Sequence, residues 1–212
     1  MVTLSLADVS FAYAAPVLTG FSLEVHPGET VGLTGPSGVG KTTAARIAAL
    51  LLAPDSGTVS VDGVVATGVR ERLPRALRGR VALLQQSSRL AVSPRMTLRR
   101  AIAEPLDIRR AAHRDKVVDE LAERVGITPD LLNRRPHEVS DGQLQRCTLA
   151  RALAQQPSYL VCDEPTASLD PVTTAATVAV LRAEAERGVG VLVVSHDREL
   201  LDVWADRTTP CE

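Results

Sequence analysis

The stretch that decides the fold is Gly35-Pro36-Ser37-Gly38-Val39-Gly40-Lys41-Thr42-Thr43, which fits the pattern G-x-x-x-x-G-K-[ST]. An apolar run at residues 30–33 precedes it, and a helix-like run at residues 44–52 follows it. A strand, a glycine-rich loop and a helix in this order are typical of a phosphate-binding loop. The sequence therefore predicts a nucleotide-binding core of the α/β class.

The residue types in this loop match the chemistry of phosphate binding. Glycines let the backbone wrap an anion closely, and the N–H groups and the positive end of the following helix dipole then point at it. We expect Lys41 to reach the β- and γ-phosphates and the hydroxyl of Thr42 to contact Mg²⁺, which leaves Thr43 in the first helical turn. The alternative is a glycine-rich turn with a surface lysine.

Composition sets the limits of the interpretation. A chain of 212 residues forms one domain, or one domain with an inserted subdomain, and its net charge of −1 does not favour a nucleic-acid partner. Cys147, Cys162 and Cys211 are widely spaced and include no C-x-x-C pair, a pattern typical of a reduced cytosolic protein with buried thiols.

The sequence offers no membrane-crossing segment of its own. Residues 1–10 lack the layout of a signal peptide, and no apolar run approaches the roughly 20 residues needed to span a bilayer. If the protein works at a membrane, we expect another chain to cross it.

The segments on either side of the loop alternate between polar and apolar residues. Residues 2–13 and 20–25 predict a small antiparallel sheet before the core, and residues 58–65 predict a hairpin around Asp62-Gly63. Tyr13 ends the first strand, where its ring could stack on a purine or simply cover a sheet edge.

The middle of the chain carries weaker signals. Residues 70–80 contain five arginines and predict a solvated face that leads into a strand at residues 81–84. Gln86 follows that strand, where an amide could touch a metal ion or a water or mark a plain strand end. The segment after it, punctuated by Pro94 and Pro105, has few secondary-structure signals, whereas residues 114–125 have helical spacing.

A second helix start follows at Ser140. We expect Ser140 to cap a helix over about residues 144–154, and this start is either a further phosphate site or an ordinary capped helix.

Two carboxylates follow the apolar run at residues 159–162. A buried parallel strand would present Asp163 and Glu164 at its carboxyl end, where Asp163 could hold Mg²⁺ and Glu164 could polarise a water. Without the loop at Gly35, the two would indicate only a strand-end turn.

The remaining chain predicts a turn over residues 167–171, a helix over residues 172–187 and a strand at residues 190–194. His196, directly after that strand, is either structural or catalytic. Residues 200–212 predict a short helix that holds Trp204, followed by a frayed tail.

In this order the motifs resemble those of the nucleotide-binding subunits of ABC transporters over almost the whole length. The resemblance implies a P-loop NTPase (RecA-like) core with an N-terminal antiparallel β subdomain and, at about residues 88–157, an inserted helical subdomain that carries the signature motif. By the same resemblance the functional positions are the adenine-stacking Tyr13, the Walker A loop from Gly35 to Thr42, the Q-loop Gln86, the signature residues Ser140, Gly142 and Gln143, the Walker B Asp163, the catalytic Glu164, the D-loop Asp170 and the switch His196.

The resemblance implies an ATPase with ATP and Mg²⁺ as cofactors. Two subunits, alike or homologous, would close head to tail over two ATP molecules, so that each signature faces the γ-phosphate bound by the partner. Glu164 would orient the attacking water, and His196 and Gln86 would sense the γ-phosphate; Thr42, Gln86 and Asp163 would serve the metal. The expected partners are membrane permease subunits and, indirectly, an extracytoplasmic binding protein, with the chain on the cytoplasmic face of the plasma membrane and no nucleic acid.

The segment at residues 84–97, with Ser93-Pro94-Arg95-Met96-Thr97 after Gln86, is similar to the corresponding segment of the subunits that energise peptide and nickel importers, and residues 143–146 agree with that group.

The sequence departs from the family pattern in two places. Asp141 occupies a signature position where the family usually has glycine, so its side chain either turns to solvent and caps the helix or marks the degenerate half of a heterodimer. The chain also stops soon after Trp204, whereas peptide-importer subunits usually continue into a C-terminal extension.

Two alternatives accompany this interpretation. One is a soluble ABC-type ATPase that acts on DNA or ribosomes, although such proteins usually show tandem domains, long coiled-coil insertions or cysteine-based zinc sites. The other is a low-activity partner half of a heterodimeric ATPase.

Overall fold

A computed structural model describes residues 2–69, 72–167 and 169–211 of the chain. Arg70, in the arginine-rich segment, Ser168, in the predicted turn, and Glu212, in the predicted tail, lie outside the described residues. The described residues form two β-sheets and seven α-helices.

The first sheet is antiparallel and has the strand order β2-β1-β4-β5. Leu4 and Leu6 of its first strand are almost fully buried, as the period of a half-exposed strand requires. An irregularity between Leu6 and Val9 shifts the alternation, and Val9 is again buried. Asp62 and Gly63 both have positive φ angles and form the tight turn of the predicted hairpin. The strands are β1 (Leu4–Ala12), β2 (Pro16–Val25), β4 (Ser56–Val61) and β5 (Val64–Val65).

The second sheet is parallel and has the strand order β6-β7-β8-β3-β9. Its inner strands, β7, β8 and β3, are buried at every residue because helices or the first sheet cover both faces. Parallel strands place their carboxyl ends along one edge, and this edge carries the residues of interest. The strands are β3 (Thr30–Thr34), β6 (Val81–Leu84), β7 (Tyr159–Asp163), β8 (Gly190–Val194) and β9 (Arg207–Pro210).

Four helices lie between β6 and β7 along the chain, although these two strands are neighbours in the sheet. The apolar faces of the last three of these helices share one core with one face of the parallel sheet, and a second core joins the other face to the antiparallel sheet. The helices are α1 (Lys41–Ala48), α2 (Ser88–Ala91), α3 (Leu98–Arg109), α4 (Arg114–Arg124), α5 (Asp141–Leu153), α6 (Pro171–Glu186) and α7 (Arg198–Trp204), and 3₁₀ turns occupy Arg75–Leu77, Leu131–Asn133 and Pro136–Glu138.

The structure differs from the predictions made from the sequence in three places. Helix α3 forms where two prolines hid its pattern; Pro105 lies inside it, and burial of Leu98, Ile102 and Leu106 offsets the lost backbone hydrogen bond. Helix α1 starts at Lys41 rather than at residue 44 and ends four residues earlier than predicted. The prediction of a frayed tail is wrong, because β9 pairs with β3.

No helix among the residues that the structure describes combines the length and the apolar character needed to cross a bilayer.

Candidate functional site

The glycine-rich loop joins α1 to the carboxyl end of β3, which lies between β8 and β9 in the parallel sheet. The residue before the helix, Gly40, has φ 109°, and a Cβ atom there would lie 2.9 Å from the carbonyl oxygen of Val17. Only glycine meets both conditions without strain. No side chain caps α1 and its first turn contains no acidic residue, so the backbone N–H groups of this turn remain available to an anion.

Lys41 is 8% exposed and lies across the loop rather than in solvent. Its Nζ donates hydrogen bonds to the carbonyl oxygens of Gly35 at 2.7 Å and of Pro36 at 2.9 Å. The ammonium group is thereby held beside the loop, where it can contribute positive charge to a phosphate bound there.

Two oxygen atoms suited to a divalent cation meet at the strand ends. The Thr42 hydroxyl donates a 3.2 Å hydrogen bond to Oδ1 of Asp163, the last residue of β7. Burial raises the pKa of the Asp163 carboxyl, as does the charge of Glu164, while the hydrogen bond from Thr42 and the positive charges of Arg46 and Lys41 oppose the shift. A hydroxyl and a carboxylate are ligands that Mg²⁺ prefers.

Glu164 and His196 are paired across the ends of β7 and β8. Oε1 of Glu164 lies 2.9 Å from His196 Nδ1 and accepts a 3.1 Å hydrogen bond from the His196 backbone N–H. Glu164 has φ 51°, a strained conformation for this residue type, and its N–H donates to the Val194 carbonyl at 2.9 Å. The backbone therefore holds the carboxylate in a fixed position beside the loop.

One cleft of about 520 Å³ brings the sequence-predicted residues from distant parts of the chain together. An adjoining cleft, also about 520 Å³, shares Tyr13, Thr42 and Gln86 with it and adds Asp163. Tyr13 is 62% exposed and packs edge-to-face on Phe11 with ring centroids 4.9 Å apart, so its ring is available at the mouth. The first cleft is lined by Tyr13, Val17, Ser37, Gly38, Gly40, Lys41, Thr42, Thr43, Gln86, Glu164, Val194 and His196.

The predicted signature residues line neither of these two clefts. Ser140 caps α5: its Oγ accepts from the Gln143 N–H at 3.2 Å, and Gln143 Oε1 accepts from the Ser140 N–H at 3.0 Å. Gly142 packs against α6, where a Cβ atom would lie 2.8 Å from Thr173 Cγ2. Within one chain, this segment is separate from the phosphate-binding loop.

Asp170 also lies outside the clefts and caps α6. Its Oδ1 accepts from the N–H groups of Val172 and Thr173, both at 3.0 Å, and its Oδ2 accepts from the Thr173 hydroxyl at 2.6 Å. The hydrogen bonds from Thr173 lower the pKa of the Asp170 carboxyl. In this chain its observed role is to cap the start of α6.

Sequence reasoning missed three contributors to the site. Arg46 lines the second cleft four residues after Thr42, and this spacing on one helix face could have revealed it. The Ser195 hydroxyl donates to Glu164 Oε2 at 3.4 Å, next to the predicted histidine. Cys211 lies against the loop, because a Cβ atom on Gly35 would approach its carbonyl oxygen to 2.9 Å, and no local signal indicated that contact.

The ABC transporter family profile matches residues 18–167, more than half of the chain. The chain therefore belongs to the ABC transporter family.

Individual relatives and solved structures agree with the family. The oligopeptide transport ATP-binding protein OppF of Escherichia coli K12 is 36% identical over 196 residues, 89% of this chain but 58% of OppF. The phosphate import ATP-binding protein PstB 2 of Natronomonas pharaonis is 37% identical over 216 residues, 96% of this chain and 75% of that protein. The chain thus spans less than two thirds of OppF.

A dimeric structure of the ATP-binding cassette MJ0796, in a post-hydrolysis state with ADP and Pi, has a TM-score of 0.87. It is 27% identical, and the match covers 99% of this chain and 94% of that one. The expected fold class, a P-loop NTPase core with an antiparallel β subdomain, is confirmed.

Proposed function

We propose that this chain is the ATP-hydrolysing subunit of an ABC importer of peptides or nickel-type metal complexes. The observation that carries the proposal is the meeting of three parts at one sheet edge: the loop with Lys41, the Thr42–Asp163 pair and the Glu164–His196 pair. A triphosphate held by the loop would lie between a metal-binding pair of oxygens and a fixed carboxylate.

ATP would bind with its phosphates on the N–H groups of the loop and of the start of α1, and Lys41 would contact the β- and γ-phosphates. Tyr13, whose exposed ring lies at the mouth of the cleft, would stack on adenine. Gln86 lines both clefts and would respond to the γ-phosphate.

Hydrolysis requires a base beside the γ-phosphate, and Glu164 fits this role. Its side chain is 12% exposed and lines the cleft, so the carboxylate is largely shielded from bulk solvent yet within reach of a water in the cleft. His196, 67% exposed, bonds the same carboxylate and would orient it while facing the γ-phosphate. Ser195 supports the second carboxylate oxygen.

The chemistry of the residues fits a Mg²⁺ ion. Thr42, Asp163 and Gln86 would hold it, all through oxygen atoms. When bound, Mg²⁺ would supply charge neutralisation for the β- and γ-phosphates.

The positions of Ser140, Gly142, Gln143 and Asp170 favour a two-subunit site. None of them lines the clefts of its own chain, so their predicted nucleotide contacts require a second subunit placed head to tail. MJ0796 forms a dimer, which supports this arrangement. We propose that residues 88–157 are the helical subdomain that presents the signature to the partner, which is a second copy or a homologous subunit.

The cargo assignment is supported by relatives and by the segment around Gln86. OppF is named for oligopeptide transport, but PstB 2, named for phosphate import, has a similar identity, so identity alone does not select the cargo. The proposed partners are permease subunits in the membrane and, indirectly, an extracytoplasmic binding protein. The chain would sit on the cytoplasmic face of the membrane, and no nucleic acid takes part.

The test is Glu164→Gln. We expect this variant to retain ATP binding and lose nearly all turnover, about a hundredfold or more, because the base is removed while the loop is intact. Glu199→Gln, the same chemical change on an exposed residue of α7, is the matched control and should leave turnover unchanged.

Turnover by Glu164→Gln near the wild-type level would overturn the assignment of Glu164 as the base.

Purification of the native chain with its bound partners gives a second test. A polytopic membrane protein in the pull-down supports the transporter, whereas ribosomes or DNA in its place would reverse the choice.

A further inference from the structure

Asp141 departs from the sequence pattern, and the structure shows what holds its carboxylate. It is the first residue of α5, and its side chain is 73% exposed. Ser140 already caps this helix through the Gln143 N–H, so Asp141 is not needed as a cap. Its charge therefore needs another explanation.

Arg89 of α2 supplies a partner for this charge. Its Nη2 lies 2.7 Å from Asp141 Oδ1, and its Nη1 donates to the Pro136 carbonyl oxygen at 3.3 Å. The two contacts span the segment that leads into α5 and fix the guanidinium over the helix start. Arg89 lies three residues after Gln86, so it belongs to the segment that follows β6.

The pair matters because of where α5 begins. A helix N-terminus attracts anions, but a free carboxylate on its first residue would oppose the approach of a phosphate. An ion pair has no net charge, and its residual field falls off faster with distance than that of a single charge. Glycine at this position would achieve the same neutrality without a partner.

We propose that Arg89 is a positioning residue that neutralises Asp141 and holds its carboxylate aside, so that the start of α5 can face a nucleotide phosphate bound by the partner subunit. This inference rests on the proposed function and adds to it a residue outside the family motifs. Under this inference, Asp141 does not mark an impaired half of a heterodimer.

Stability is a poor explanation for the pair. Arg89 is 53% exposed and Asp141 73%, and exposed ion pairs contribute little to folding. The chain offers a matched pair for comparison in Arg99 and Asp119, which lie 2.6 Å apart and are 33% and 58% exposed. Neither residue of that second pair lines the two clefts at the loop or belongs to the start of α5.

The experiment measures kcat and KM for ATP on the native complex, purified through a tag on this chain. We expect Arg89→Ala to lower kcat about tenfold with KM changed less than about twofold, because repulsion acts on closure over the nucleotide and not on binding to the loop. Arg89→Lys keeps the charge and should retain most of the rate. Arg99→Ala, the matched control, should have no effect.

The double variant Arg89→Ala with Asp141→Gly distinguishes two roles of Arg89: neutralising the charge of Asp141, and holding the segment that leads into α5. If Arg89 acts by neutralisation, removal of the carboxylate in the Arg89→Ala background restores kcat to within about twofold of wild type. Raising the salt from about 50 mM to about 500 mM should also recover part of the loss in Arg89→Ala.

Three results would overturn the inference: an unchanged rate in Arg89→Ala, a double variant as slow as Arg89→Ala, or a several-fold increase in Asp141→Gly alone. The last result would show that Asp141 is not compensated. Failure of the proposed function is distinct, since it appears as the absence of ATP binding and hydrolysis in the wild-type complex.

Discussion

Helices α1 and α5 both begin with small or polar residues, yet their N-termini are prepared for different tasks. The start of α1 has glycine in place of a capping side chain, and Lys41 lies over the loop before it. The start of α5 is closed by the reciprocal bonds of Ser140 and Gln143, and an ion pair covers its first residue. The start of α1 can bind an anion in a cleft of its own chain. The start of α5 lines neither of the two clefts at the loop, so we expect it to contact an anion only when a partner subunit approaches.

The difference shows that a helix N-terminus becomes a binding site through what surrounds it. Around α1 the cleft is closed by Val194 of β8, by Glu164 directly after β7 and by Gln86 in the segment after β6. At the start of α5, Gly142 packs on α6, whereas Ser140 and Asp141 are exposed. The following variants test this contrast, from the largest expected effect to the smallest.

The largest effect is expected for Lys41→Ala. Loss of the ammonium group removes charge-assisted contacts to phosphate of about 3 kcal/mol in total, on the order of a hundredfold in Kd for ATP. Titration of the full chain with a fluorescent ATP analogue measures this change. Lys116→Ala, at an exposed position of α4, is the control, and equal affinity in both variants would contradict the role of the loop.

Gly40→Ala should damage the start of α1 through its backbone. The new Cβ would meet the Val17 carbonyl at 2.9 Å in a backbone conformation with φ 109°, at a cost of about 2 kcal/mol in the free energy of unfolding. Gly38→Ala is the matched comparison, because a Cβ there would contact nothing within 4 Å. Urea unfolding should rank Gly40→Ala as clearly less stable, and the reverse order would refute the packing argument.

Ser140→Ala tests the start of α5. Loss of the cap should reduce the free energy of unfolding by about 1 kcal/mol and leave ATP binding by the isolated chain unchanged. Urea unfolding and the same ATP titration give both quantities, and Ser140→Thr, which keeps the hydroxyl, serves as the control. A weakening of ATP binding comparable to that in Lys41→Ala would mean that both helix starts serve one pocket within the chain.

The smallest effect concerns the ion pair of Glu29 and Arg207 at the amino end of β3, the strand that leads into the loop. Burial acts to raise the pKa of Glu29, but the hydrogen bond and charge of Arg207 in β9, with the His26 N–H, outweigh it and lower the pKa. A lowered pKa stabilises the fold above the unfolded-state pKa, and this contribution is lost as the pH falls through the folded-state value.

Arg207→Ala should therefore cost less than about 1 kcal/mol at pH 7 and progressively less as the solution is acidified. Urea unfolding at several pH values measures the cost. Glu29→Gln breaks the same pair without a titrating group, so its free energy of unfolding should vary less with pH than that of the wild type. A cost in Arg207→Ala that does not depend on pH would contradict the assignment.

Much of the molecule could be predicted from local pattern. The strand at Gly190–Val194 matches its prediction at both ends, and Ser140 caps α5 as expected, since both depend on neighbouring residues. Helix α3 escaped prediction because Pro105 is a local signal against a helix that tertiary burial overrides. Strand β9 escaped it because a short polar segment becomes a strand only when β3 offers an edge.

The sequence by itself determined the loop from Gly35 to Thr42, because its phosphate-binding groups are contiguous backbone N–H groups and one lysine. Only the tertiary structure decided which side chains meet across the chain. Glu164 bonds His196, Thr42 bonds Asp163, and Asp141 pairs with Arg89. These contacts join residues far apart in sequence, and their existence depends on the strand order and on how α2 and α5 pack, which no local pattern encodes.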